Sequence, residues 1–214
     1  MRKSRRPRRH ATCSDLAEPR REDPHMERLK LPPQSALTPE QAAVCEEAIA
    51  GVRGKVPAPM IAWLRNPELA RRAQKLGELL RFQTTLEAPL TELAILVCAR
   101  HWTSHVEWSA HKAIALKAGL DAEVVEAIAA RRAPRLLEER ERAVYEVAST
   151  LLATARVPDH LYAYAVAQLG ERGMVELVAT LGYYCLASLT LNTFELGLPD
   201  GVAPELQDRD FGSP

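Results

Sequence analysis

Long apolar runs are missing from this chain. No stretch of 18 apolar residues occurs among its 214, so the sequence predicts no membrane span. The opening residues are arginine-rich with no apolar core, which excludes a secretory signal. Aromatic residues make up only 5% of the chain, and the alternating apolar–polar pattern of half-buried strands is absent, so no sheet is expected. Only four cysteines occur, Cys13, Cys45, Cys98 and Cys185, and no two are close in sequence. That spacing excludes a metal knuckle and predicts no redox pair. Without a signal sequence it also argues against a disulfide framework, and the expected location is cytoplasmic. An excess of one charge is missing too. With 28 Lys and Arg against 28 Asp and Glu, the whole molecule offers no argument for a nucleic-acid partner.

What is present is a chain with 47% hydrophobic residues, rich in Ala and Leu, enough for one helical domain with a sizeable core. Charge is unevenly placed. The first 25 residues, "MRKSRRPRRHATCSDLAEPRREDPH", carry eight Lys and Arg against four Asp and Glu, leaving 20 basic and 24 acidic residues beyond them. Three readings of this segment stand: a basic arm, an Arg-rich transit-like segment, or an upstream extension with Met26 as the natural start. Disorder is expected under each. The domain expectation is a disordered basic tail over 1–36, a helical domain over 37–205 and a C-terminal tail over 206–214.

Local signals divide the domain into about eight helices. "LTPEQ" opens the first, with Thr38 as cap, Pro39 in the first turn and Gln41 completing a capping box. "GVRGKVPAP" ends it, "MIAWLRN" follows as a short segment, and Pro67 starts a helix through about Phe82. "PLTELAILVCARHWT" has apolar residues at helical spacing. "SHVEWSAHKAIALKAGL" is the next helix, with Gly119 at its end, and Asp121 caps another. "LLEERERAVYEVASTLLATA" is long and amphipathic, and Pro158 and Asp159 begin the helix after it. The closing "ERGMVELVATLGYYCLASLTLNTFEL" is apolar nearly all round, so a small bundle cannot easily cover it alone. A homo-oligomer is the expectation, with a central helix of a monomer as the alternative.

The residues with chemistry cluster at "SHVEWSAH". Glu107 and His111 are four apart and share a helix face, where a carboxylate raises and orients an imidazole for proton transfer. Ser104 lies a turn earlier, near a helix start that favours an anion. Glu92 returns beside this face if the two helices pack as a hairpin. His105 reads as core edge or pocket rim and Trp108 as pocket wall or core packing, and Tyr184 and Asn192, eight apart, read as a polar face on the closing helix that lines a substrate pocket or an oligomer seam. Glu92, Glu107, His105 and His111 match no known metal-ligand spacing, so neither a metal nor another cofactor is expected.

"ELAILVCARHWTSHVEWSAHKAIALKAGL" closely resembles the carboxymuconolactone decarboxylase family, related to the alkyl hydroperoxidase D-like (AhpD-like) proteins. "NPELARRAQKLGELLR", "LLEERERAVYEVASTLL" and "GMVELVATLGYYCLASLTLNTFELGLPDG" resemble its flanking helices in the same order, over about residues 38 to 202. The resemblance implies an all-α, AhpD-like helical bundle that is oligomeric. In the peroxidase branch a Glu is followed by eleven residues, Cys, two residues, Cys, three residues and His. Here those positions hold Glu92, Ser104, Glu107 and His111, so the spacing is kept and both thiols are absent. Thiol peroxidase chemistry at those positions is therefore disfavoured. The decarboxylase branch implies a cofactor-free lyase acting on a small lactone or keto-acid-like compound. His111 would be the general acid, Glu107 its orienting partner, Glu92 a relay, and Ser104 with nearby amides the receptor of negative charge. An anionic substrate also wants a cation, yet neither Arg100 nor Lys112 clearly shares the Glu107–His111 face. The alternatives are an alkyl hydroperoxidase or peroxiredoxin-like antioxidant protein, and a non-catalytic oligomeric binding protein. Neither a membrane nor a nucleic-acid partner is expected.

Overall fold

A computed structural model describes residues 27–199 and 201–207. Among these residues the chain forms eight α-helices and no strand: α1 (Pro39–Ala50), α2 (Met60–Trp63), α3 (Pro67–Phe82), α4 (Ala88–His101), α5 (His105–Lys117), α6 (Ala122–Ala129), α7 (Glu139–Thr154) and α8 (Asp159–Thr193). The local signals act as their chemistry dictates. Thr38 and Gln41 exchange both hydrogen bonds of a capping box. Asn66 and Asp121 cap α3 and α6 through their side chains. Gly119 follows α5 with φ at +100°, a conformation a side chain would strain. Gly170 interrupts α8 with φ at 75° and ψ at 164°, dividing a 35-residue helix without ending it.

The helix covered on every side is α4, where every residue from Leu90 to Arg100 is buried. It packs against α3, α5, α6, α7 and α8. The alternative reading of the closing segment, as the central helix of a monomer, put it in that place. Instead α8 buries one side against α4 and α7 and leaves Val175, Val178, Leu186 and Leu189 exposed on the other. By length and composition α8 could cross a bilayer, but 56% of its most apolar window is buried inside the bundle.

Residues flanking 37–205 also make contacts with the helices. Residues 27–36 include a 3-10 turn at Gln34–Ala36, and Arg28 N–H donates to the Phe194 carbonyl at 3.0 Å. At the other end Leu206 is buried, and the Gln207 carbonyl accepts from Arg100 at 3.1 Å. The first segment thus satisfies carbonyls at the end of α8, and the second satisfies the Arg100 guanidinium. The basic arm, over residues 1–26, and residues 208–214 lie outside the described residues.

Leu93 on α4 is fully buried. Leu93→Ala is expected to cost roughly 2–5 kcal/mol, measured by urea unfolding. A loss under about 0.5 kcal/mol would contradict the central place of α4.

Candidate active site

Thr103, with φ at 46°, turns the chain between α4 and α5 so tightly that the Ser104 N–H donates to the Ala99 carbonyl at 2.8 Å. The hairpin lays α5 back along α4 and brings Glu92 level with His111. The imidazole then stands between two carboxylates. Nδ1 is 2.6 Å from Glu92 Oε2, and Nε2 is 3.2 Å from Glu107 Oε2. All three side chains are at least 90% buried. Burial pushes the imidazole pKa down, but hydrogen bonding and charge from Glu107 and Glu92 outweigh it and hold His111 above the ordinary histidine range.

The cation that sequence adjacency failed to supply comes from α3 and the loop after α1. Arg81 Nη2 lies 3.6 Å from Glu92 Oε1, and its buried Nε has no protein acceptor. Arg53 buries Nε and Nη2, also without acceptors, beside Tyr183. Gly77 makes room for them, since a Cβ there would stand 2.2 Å from the Tyr183 hydroxyl and 2.5 Å from Arg53 Nη2. Gln74, Gly77 and Arg81 recur at helical spacing on the buried side of α3. Polar or glycine residues on the inner stripe of an amphipathic helix were the signal that could have pointed to Arg81. Arg100 and Lys112 have other tasks. Arg100 ties the Ala129 and Gln207 carbonyls, and Lys112 pairs with Glu205.

The remaining sequence candidates divide. The ring of Tyr184 meets that of His111 edge-on, with centroids 5.0 Å apart. Burial and the Glu107 charge raise its phenol pKa well above the usual value, so it stays a neutral donor, and its buried hydroxyl has no protein partner. Ser104 is fully buried at the N-terminus of α5, and its Oγ makes no capping bond. Trp108 is buried as a wall, with Nε1 unpartnered. His105 is half-buried in the first turn of α5 and is not one of the ring's partners. Asn192 does not join the cluster. It is exposed and donates to the Trp102 carbonyl at 2.7 Å, capping the end of α4. Tyr184 and Asn192 share a helical face only nominally, because eight residues overshoot two turns by about 80°.

The reading of the cysteines as isolated needs correction. Cys98 on α4 and Cys185 on α8 place their sulfurs 3.7 Å apart, although 87 residues separate them in the chain. Among the described residues no group of three or more His, Cys, Asp or Glu converges as a metal site requires. A surface pocket of about 180 Å³, lined in part by Arg100, His101, Arg131 and Tyr145, lies beyond α4 and shares no residue with the buried cluster. The cluster is the better candidate for chemistry, because it holds the paired acid and base groups.

No family model matches the chain, and no curated protein matches it. Solved structures do. A peroxidase-related protein from Ralstonia eutropha JMP134, described as an alkylhydroperoxidase AhpD core, is 16% identical with a TM-score of 0.68, over 81% of this chain and 92% of that one. A peroxidase-related protein from Silicibacter sp. TM1040 is 18% identical with a TM-score of 0.66, over 85% and 94%. The debrominase Bmp8, a Cys-to-Ala variant in complex with 2,3,4-tribromopyrrole, is 14% identical with a TM-score of 0.63, over 80% and 91%. The fold is therefore the AhpD-like helical fold.

The His111 environment sets a measurable sign. Its folded pKa lies above the unfolded value of about 6.5, so protonation stabilises the fold fully below that pH. The contribution is lost as pH rises through the folded value. NMR titration of the ring is expected to show a midpoint above 6.5, and Glu107→Gln should lower it. A midpoint below 6.5 that is insensitive to the substitution would contradict the geometry.

Proposed function

We propose that the buried cluster is the proton-transfer site of a lyase. It removes CO2 from a small carboxylated lactone or keto acid without a bound cofactor, as the resemblance to the carboxymuconolactone decarboxylases suggests. One observation carries this reading: beside the Glu92–His111–Glu107 relay, Arg53 Nε, Arg81 Nε and the Tyr184 hydroxyl are buried with no hydrogen-bond partner. Each buried unpaired donor costs about 1–3 kcal/mol, a cost that a bound anion would relieve.

The substrate carboxylate sits against Arg81 and Arg53. As the C–C bond to CO2 breaks, its electron pair moves to the neighbouring carbonyl, and the enolate oxygen accepts from the Tyr184 hydroxyl and Ser104 Oγ. His111 then protonates carbon. Both ring nitrogens are engaged, so delivery requires one contact to open. The longer one, 3.2 Å to Glu107, is the one substrate displaces, while the 2.6 Å contact to Glu92 anchors the ring. Glu92 is thus a positioning residue.

The antioxidant alternative lacks thiols at positions 104 and 107, where serine and glutamate stand. The non-catalytic alternative would leave unexplained why two carboxylates and an imidazole are buried together at the expense of packing.

A screen of small lactones and keto acids with CO2 detection tests the reading. One class is expected to turn over, with CO2 release falling as pH rises through the His111 pKa. His111→Gln and Glu107→Gln should lower kcat by at least about 100-fold with helical circular dichroism retained, and Arg81→Met should raise KM. CO2 from no compound, or full activity in both variants, would overturn it.

We further propose that a second copy of this chain covers α8. Val175, Val178, Leu186 and Leu189 form an exposed apolar stripe, and Gly182 at its centre permits close approach. Sedimentation should give an oligomer that Val178→Glu with Leu186→Glu dissociates. A wild-type monomer at every concentration would contradict this.

A further inference from the structure

We propose that the cavity beyond α4 is a binding site for a small organic carboxylate with a compact apolar body, separate from the acid–base cluster. Its walls supply both halves of that chemistry. Val97, Ile128 and Leu152 are aliphatic. Arg100, His101, Arg131 and Arg132 are basic, and among the described residues no Asp or Glu lines the cavity. A volume of about 180 Å³ is below the roughly 300–1,000 Å³ of sites for drug-sized molecules, so the ligand is small.

The positive charge is gathered by the backbone. Both α4 and α6 end on a residue with a side chain where glycine is the easier choice. Thr103 follows α4 with φ at 46°, and Arg131 follows α6 with φ at 54°. At each end the next N–H turns back into the helix, Ser104 to the Ala99 carbonyl and Arg132 to the Ala127 carbonyl, both at 2.8 Å. The two corners are joined through one atom. The Thr103 hydroxyl oxygen accepts from Arg131 Nη2 at 3.2 Å and from Arg100 Nη1 at 3.1 Å. Two guanidiniums are thus drawn together on a neutral oxygen. Both are engaged, so what they offer a ligand is charge fixed in place, not vacant donors.

The resulting field is felt at His101. Its ring is half-buried, and burial followed by the Arg131 charge lowers its pKa below the ordinary histidine value. Helix C-termini attract cations, which accounts for arginines at the ends of α4 and α6. It does not account for an open cavity with aliphatic walls between them. Direct contacts come from Arg132, which is exposed in the turn after α6, and from Tyr145 on α7, whose phenol burial keeps protonated as a donor. A hydrated inorganic anion would leave the aliphatic walls unused, and a neutral molecule would leave the field unused. A carboxylate on a ring or a short branched chain uses both. The site shares no residue with the machinery assigned to decarboxylation, so either reading can fail without the other.

The test follows the His101 ring by NMR in the full-length protein, with His101→Gln to assign it. The probes are benzoate and its aliphatic counterpart isovalerate. At least one is expected to shift the His101 resonances to saturation and to raise the midpoint of its titration, because an adjacent anion favours the imidazolium. Benzyl alcohol, a ring without the charge, and inorganic phosphate, a charge without the ring, should each bind at least about tenfold more weakly. Arg132→Gln should weaken carboxylate binding by about three- to tenfold. Ser149→Phe, which fills the cavity from a half-buried position, should abolish the response and leave the ligand-free His101 titration as it was. Arg81→Met, at the acid–base cluster, should leave the response intact. The proposal is overturned if neither carboxylate gives a saturable response or if benzyl alcohol or phosphate binds as well. A response that survives Ser149→Phe, or that Arg81→Met removes and Arg132→Gln does not, overturns it too.

Discussion

The structure of this protein turns on one shared imidazole. Two carboxylates buried without a cation between them would repel each other and lose their hydration together. His111 resolves this by bonding Glu92 through one nitrogen and Glu107 through the other. The arrangement requires α4 and α5 to lie side by side in a fixed register, which Thr103 secures by turning left-handed where a glycine would be the easier choice. Removing one partner of such a buried pair typically costs about 3–5 kcal/mol, so the cluster specifies the hairpin as much as the hairpin positions the cluster.

Around that relay the bundle gathers donors rather than apolar filling. Arg81 approaches Glu92 from α3, Arg53 enters from the loop after α1, and Gly77 gives up a side chain to let Arg53 and Tyr183 pass. Tyr184 closes the other side from α8. Replacing a buried ion pair by well-packed apolar side chains is often neutral or stabilising. Arg53 Nε, Arg81 Nε and the Tyr184 hydroxyl are buried there without a hydrogen-bond partner.

The helix α8 serves several surfaces at once. Its inner face carries Tyr183 and Tyr184 toward the acid–base cluster, its flank places Cys185 against Cys98 and Trp102, and its outer face stays apolar. Successive residues of a helix point 100° apart. Neighbours in sequence such as Tyr184, Cys185 and Leu186 can therefore belong to three different environments. A pattern that looks uniformly apolar in one dimension is in fact divided by face.

Much of the fold was legible in the chain because it rests on local chemistry. The capping box at Thr38, Pro67 after Asn66, Asp121, and the glycine after α5 act through bonds within a few residues of themselves. The pairing of Glu107 with His111 is equally local, and the return of Glu92 followed from a hairpin and a family resemblance. What local reading missed were contacts between segments remote in sequence. Arg53 and Arg81 reach the cluster from other elements, Asn192 turns outward to cap α4, residues 27–36 and 206–207 pack onto the domain, and two cysteines 87 residues apart become neighbours. By itself the sequence determined the helices, their ends and the acid–base pair, because backbone capping and i, i+4 spacing are settled within one or two turns. Only the tertiary structure decided which cations and thiols stand together, because helix packing sets those distances and no periodicity along the chain encodes them.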